Sequence, residues 1–275
     1  KKKQDVGKLV KNILLIFQPS EEANAGANAL IRSFPFEDYY IEAIYGLHLG
    51  PDIPEHTLAT KAGFLMASAT EYRIDVNGLS AHVAQKQKGI SALGAVTHIA
   101  NQLSQVQQYF LNGLHQNILH IGKLHAGEAI NTVATDGYLH GTIRTYVPED
   151  LLQIKEKMEK IVDTADSLFD TSSALAFAKG YPAVYNDEAL MDTVEKSSDK
   201  AGLTLDILDE PYLFGEDFSF YSAIAKINFA FLGVRNEEKG HIHGLHTSRF
   251  NFDEKILLNG VKYYQAIAET LGLVG

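Results

Sequence analysis

The 275-residue sequence predicts an α/β protein: an open, mostly parallel sheet interrupted by a second, smaller domain of strands and helices. Three features predict it. Continuous apolar runs at residues 13–17, 41–50 and 227–234 read as strands buried on both faces, the kind found in parallel sheets. Between them, residues 69–76 alternate apolar and polar, as a half-exposed strand does. Amphipathic helical stripes then follow at residues 90–106 and 148–168.

Taken in order, the first run, Ile13 to Phe17, stops at Pro19 and is followed at once by Glu21 and Glu22. Residues 23–33 read as a small-residue helix packing Ala27, Leu30 and Ile31, closed before Pro35. The second run ends with His48 between Gly46 and Gly50, which allow close backbone approach, and is broken by Pro51 and Pro54. From Ser68 the order becomes strand (69–76), helix (90–106), strands (118–124 and 137–146), helix (148–168) and strand (174–177). Pro148 opens the second helix, with Leu151, Ile154, Met158, Ile161, Ala165 and Leu168 on one stripe. That βαββαβ order is the ferredoxin-like split sandwich, placed as an inserted domain at residues 68–180 between a first part (1–67) and a second part (181–275) of the α/β domain. After Gly180-Tyr-Pro182 come a helix at 188–201, a strand at 205–208, a helix opening at Glu216-Asp217-Phe218 and the buried run at 227–234. A loop with His241, His243 and His246 leads to a final helix capped by Asn251 or Asp253.

Composition excludes several classes. With 45% hydrophobic and 21% charged residues the chain is globular in character, and its apolar runs are far short of the ~20 residues that span a bilayer. The basic start, Lys1 to Lys3, is not followed by the apolar segment of a signal peptide. A formal charge of −10 argues against nucleic acid as a main partner. With no cysteine, any metal must be held by histidine and carboxylate, and a cytoplasmic location is compatible.

Three segments place such ligands just past a predicted buried strand: Glu21/Glu22, His48, and the loop ending at His246. Convergence at one edge of a sheet is how α/β folds assemble a site. Paired carboxylates there could serve a metal, one as ligand and one as base; the alternative is that they only open a helix, where the dipole favours negative charge. His241 and His243 read as solvent-exposed polar residues, whereas His246 follows Gly244 and directly precedes the final helix. In the inserted domain His82 lies in a loop and Asn131 between strands, while Arg144 shares a strand face with His140 and Thr142. Arg144 presents a fork that suits a carboxylate, or it pairs with a neighbouring acid.

Six segments occur together in one order: Gln18-Pro-Ser-Glu-Glu22, Tyr45-Gly-Leu-His-Leu-Gly-Pro51, Gly127-Glu-Ala-Ile-Asn-Thr-Val133, Gly141-Thr-Ile-Arg-Thr-Tyr146, Gly215-Glu-Asp-Phe218 and Gly244-Leu-His-Thr247. Across essentially the whole chain they resemble the metal-dependent amidohydrolases of the aminoacylase and carboxypeptidase superfamily, and most of all the N-acetyldiaminopimelate deacetylase branch. The resemblance implies a catalytic α/β domain with an inserted lid domain. It implies that Glu21 is the general acid/base, that Glu22, His48 and His246 are ligands of one or two divalent ions (zinc, manganese or cobalt), and that His82 helps stabilise the oxyanion. It further implies that Asn131 and Arg144 hold a small N-acyl amino acid substrate, and that the lid mediates a homodimer. The expected reaction is hydrolysis of N-acetyl-L,L-diaminopimelate in lysine biosynthesis; the alternatives are a general aminoacylase or hippurate-type hydrolase, or a non-catalytic binding module.

Two departures accompany the resemblance. Relatives carry an earlier Cys- and His-containing segment that supplies further ligands, and nothing in this chain matches it. They also follow the lid histidine with a proline-containing run, where this chain has Val83-Ala-Gln-Lys-Gln-Lys88.

Overall fold

The computed structural model describes residues 11–274. Those residues form two compact units. One holds the residues up to Leu65, Val184–Pro211 and those from Asp217 onward; the other holds Met66–Ala183 and Tyr212–Glu216.

In chain order, the first unit begins with α1 (Glu21–Asn24), α2 (Gly26–Ser33), β1 (Ala43–Pro54), β2 (Thr57–Thr60) and β3 (Gly63–Met66). The second unit follows as β4 (Thr70–Asn77), α3 (Ala92–Phe110), β5 (Asn117–Ala126), β6 (Asp136–Thr145), α4 (Pro148–Phe169) and β7 (Ser172–Phe177). The chain then returns with β8 (Val184–Asn186), α5 (Met191–Ala201), β9 (Thr204–Ile207), β10 (Lys226–Arg235) and α6 (Leu257–Thr270).

The sheet of the first unit has the order β1-β10-β2-β9. It is mostly parallel: β1 runs with β10 and β2 with β9, while β10 and β2 are antiparallel. β10 is buried from Ile227 to Val234, as its unbroken apolar run requires of a strand covered on both faces. Leu58, Ala230, Leu232 and Val234 pack there with Val194 of α5 and Tyr263 and Ile267 of α6. A short β3-β8 pair is tied to this sheet by Asn186, which is fully buried. Its carboxamide accepts from Phe229 N at 2.7 Å and donates to Phe229 O, Lys61 O and Thr60 Oγ1.

In the second unit all neighbouring strands are antiparallel, in the order β5-β6-β4-β7, which is the ferredoxin-like arrangement. The two-residue period of β4 puts Tyr72, Ile74 and Val76 on one face, where they meet Leu139 and Ile143 of β6. Val96, Ile99 and Leu103 of α3 and Ile154, Met158 and Ala165 of α4 cover that face. On the opposite face lie Glu71, Arg73 and Asp75 beside His140, Thr142 and Arg144.

Four expectations are corrected. Residues 13–17 form no strand: Leu15 is 72% and Phe17 88% exposed. An apolar run becomes a strand only by finding a ladder partner and a covering layer, and among the described residues it has neither. The helix expected over 23–33 is broken at Ala25, which is left-handed at φ 49°. β1 does not end at Pro51 but continues to Pro54, because an edge strand tolerates residues that cannot donate to a ladder. Asp217 opens only a 3₁₀ segment, Asp217–Ala223. The short strands β2, β3 and β8 were not predicted.

The Asn186 network supplies a stability test. Asn186→Ala leaves the amide of Phe229, itself 3% exposed, without its side-chain acceptor. Urea denaturation should show a loss of roughly 1–3 kcal/mol for that group, with more if the freed carbonyl is also stranded.

Candidate metal centre

Local backbone geometry sets the position of the two glutamates. Glu21 and Glu22 lie in a single helical turn bracketed by two left-handed non-glycine residues, Ser20 (φ 58°) and Ala25 (φ 49°). The chain closes on itself behind them: Gly26 N donates to Ser20 O at 3.3 Å, and a Cβ at Gly26 would stand 1.6 Å from Pro19 O. Only glycine fits there.

His48 is carried by β1 opposite Phe231 of β10. Its Nδ1 lies 2.9 Å from the carbonyl of Leu49 and can only donate to it, which leaves the Nε2 lone pair free for a ligand. His246 follows β10 in a loop and is itself left-handed at φ 60°. Its Nε2 stands 3.6 Å from Glu22 Oε1. Glu22, His48 and His246, with Leu47, Leu49 and Leu245, line one cavity of about 420 Å³.

Glu21 sits beside this group. Burial, then the charges of Glu22 and Asp217, push its carboxyl above the ordinary range, while His48 and His246 pull it back. The structure therefore brings the four expected residues of the first unit together. Two ligands of a tetrahedral ion with bonds of ~2.0–2.1 Å stand about 3.3 Å apart, so the 3.6 Å Glu22–His246 spacing fits a divalent ion, and His48 lines the same cavity.

The loop holding His246 is tied at both ends. Lys239 Nζ reaches Glu55 Oε2 at 3.0 Å and Asp253 Oδ2 at 2.9 Å, and Asn236 Nδ2 donates to Glu55 Oε2 at 2.8 Å. His241 corrects the expectation of a solvent-exposed residue. Its side chain is only 14% exposed and faces Glu55 at 3.8 Å, because the Asn236–His241 backbone bridge turns it inward.

Within the second unit, His82 and Asn131 lie in adjoining loops: Val83 N donates to Asn131 O at 3.0 Å and Val133 N to Ala81 O at 2.8 Å. His82 Nδ1 accepts from Ala84 N at 3.1 Å, which places the ring proton on Nε2 as an outward donor. The proline-free stretch after it forms a 3₁₀ segment, Val83–Lys88. Glu71, across the sheet face from Arg144, stands 3.5 Å from His140 and its charge also acts on the guanidinium. Burial lowers the guanidinium pKa, opposed by Tyr181 and Glu71.

Sequence reasoning singled out the Gly215–Phe218 segment without giving Asp217 a role. Asp217 is fully buried, and one of its oxygens lies within 4.8 Å of a Glu21 oxygen. An acid in that segment was the only signal, and its partners, Gln18 and Ala27, are 199 and 190 residues away in sequence.

The sequence profile of Peptidase family M20/M25/M40 matches residues 2–270, and the chain belongs to that family. An uncharacterized hydrolase of Staphylococcus aureus is 48% identical over 263 residues, covering 95% of this chain and 69% of the relative. One from Staphylococcus haemolyticus is 48% identical over 266 residues, covering 96% and 69%. Among solved structures, an aminohydrolase candidate from methicillin-resistant S. aureus superposes with a TM-score of 0.84 at 20% identity, over 93% of this chain and 65% of the other. A Bacillus subtilis protein described as a dinuclear metal binding peptidase from the M20 family gives 0.76 at 24% identity, over 94% and 64%. An aminobenzoyl-glutamate utilization protein from Klebsiella pneumoniae gives 0.70 at 18% identity, over 91% and 60%. The chain thus spans just under two thirds of the solved chains it matches. At these identities the structures share the fold.

The tied loop has a pH signature. Burial pushes Glu55 up, but the bonds from Asn236 and Lys239 outweigh it and hold its carboxyl below the ordinary 4.5. A depressed acid stabilises the folded state above its unfolded value, and that contribution is lost as pH falls through the folded one. In metal-free protein, Glu55→Gln should lower the melting temperature near pH 7, and the gap from the unsubstituted chain should close as pH falls below about 4.5.

Proposed function

We propose that this chain carries the catalytic face of a metal-dependent amidohydrolase acting on N-acyl amino acids, most specifically N-acetyl-L,L-diaminopimelate. The observation that carries the proposal is the single cavity lined by Glu22, His48 and His246, with Glu21 beside it. A divalent ion held by those three residues would polarise an amide carbonyl and lower the pKa of a water. Glu21, its carboxyl raised above the ordinary range by burial and like charge, is suited by its place beside the ligands to take a proton from water and return it to the leaving amine. His82 is suited to donate from Nε2–H to an oxyanion, Asn131 to hydrogen-bond the substrate, and Arg144 to take its carboxylate. We place the protein in the cytoplasm and expect a homodimer. The edge strand β5 of the second unit is the surface a second copy would extend.

One observation favours a second reading. The Klebsiella neighbour's name concerns aminobenzoyl-glutamate, an aromatic N-acyl amino acid, and so supports a hippurate-type substrate.

Turnover of N-acetyl-L,L-diaminopimelate and hippurate, measured side by side with zinc, manganese and cobalt, separates the two. Preference for N-acetyl-L,L-diaminopimelate supports the first reading; equal or better hippurate cleavage removes it. Glu21→Gln should keep its metal and lose turnover by roughly 10²–10⁴-fold, the usual weight of a general acid/base.

A further inference from the structure

We propose that Asp217 is a positioning residue: a clasp that holds the Glu21–Glu22 loop in its strained shape by bonding both of its ends. One carboxylate oxygen accepts from Gln18 Nε2 at 2.6 Å, and the other accepts from Ala27 N at 3.0 Å. Gln18 immediately precedes the loop and Ala27 follows it, so the two bonds bracket residues 19–26. A left-handed backbone is costly for a non-glycine residue and persists only where its surroundings over-determine it. Ser20 and Ala25 are two such residues in one short loop, and α1 between them is a single turn with no side-chain cap of its own.

The clasp is itself anchored. Asp217 is fully buried, and Phe218, next in the chain, packs on Gly46 of β1, where a Cβ would stand 2.6 Å from its ring. The Phe218 ring also lies 4.9 Å from that of Phe229 and 5.4 Å from that of Tyr221. Both carboxylate oxygens are occupied by donors from the loop. That disposition suits orientation of the glutamates better than ligation. The rigid sheet is thereby linked to the loop that carries Glu22, and β1 is the same strand that carries His48. This role extends the metal-site reading of Glu21 and Glu22, on which its functional consequence rests.

Hydrogen–deuterium exchange of the chain at residues 20–26 tests it. Asp217→Asn preserves size and one acceptor but loses the charge, and exchange there should rise roughly ten- to a hundredfold, the weight of hydrogen bonds to a charged group. Gln18→Ala opens one end from a half-buried position outside the core, and should act in the same direction even if Asp217 variants fail to fold. Combining Gln18→Glu with Asp217→Asn exchanges donor and acceptor, and should restore protection; a side chain serving only to fill space would not be rescued this way. Unchanged exchange in Gln18→Ala, or a double variant no better protected than Asp217→Asn, overturns the clasp. Cobalt titration separates the two claims: weaker cobalt binding by Asp217→Asn than by the unsubstituted chain supports the functional consequence. If the unsubstituted chain binds no cobalt, the metal reading falls and the exchange result still decides the clasp.

Discussion

The contact on which the candidate site depends is the closure of residues 18–27. A Cβ at Gly26 would collide with Pro19 O, Gly26 N bonds to Ser20 O, and two left-handed residues flank one helical turn. Together these convert a stretch of small residues into a tight loop that presents Glu21 and Glu22 side by side.

The histidines arrive by two different routes. His48 rides on a strand and is oriented by its bond to Leu49 O, so its position follows from the parallel β1–β10 register. His246 sits in a loop and relies on a left-handed backbone and on ionic ties at Glu55, Lys239 and Asp253. One ligand is thus held by sheet geometry and the other by charge. The electrostatic consequence is a local balance at Glu21: burial and the charges of Glu22 and Asp217 disfavour its ionised form, and the two imidazoles partly offset this. A divalent cation supplies the positive charge that such a donor set favours.

Much of this was legible in the sequence where a short-range pattern determines structure. The alternation of β4 and the stripes of α3 and α4 required no knowledge of partners, and the βαββαβ order followed from them. The candidate ligands were chosen for lying just past apolar runs, but the run before Glu21 forms no strand and His48 lies within β1 rather than beyond it. What was hidden depends on distant contacts. Residues 13–17 are apolar enough for a core strand, yet no local rule reports whether a ladder partner exists. The break at Ala25 lies in a sequence with no proline at that point, because it arises from the approach of Pro19 to Gly26. His241 reads as one more polar loop residue until the turn at Asn236 directs it toward Glu55. Asp217 was visible as part of a segment, but its role lies in bonds to residues near the other end of the chain.

The central claim is that the Glu21–Glu22 loop and two separately held imidazoles form one metal centre. X-ray absorption of the chain loaded with one equivalent of zinc tests it most directly. The account predicts a shell of nitrogen and oxygen at about 2.0–2.1 Å together with outer scattering from two imidazoles, and loss of one imidazole contribution in His48→Ala and in His246→Ala. Zinc bound with no imidazole scattering, or a spectrum unchanged by both substitutions, would contradict it.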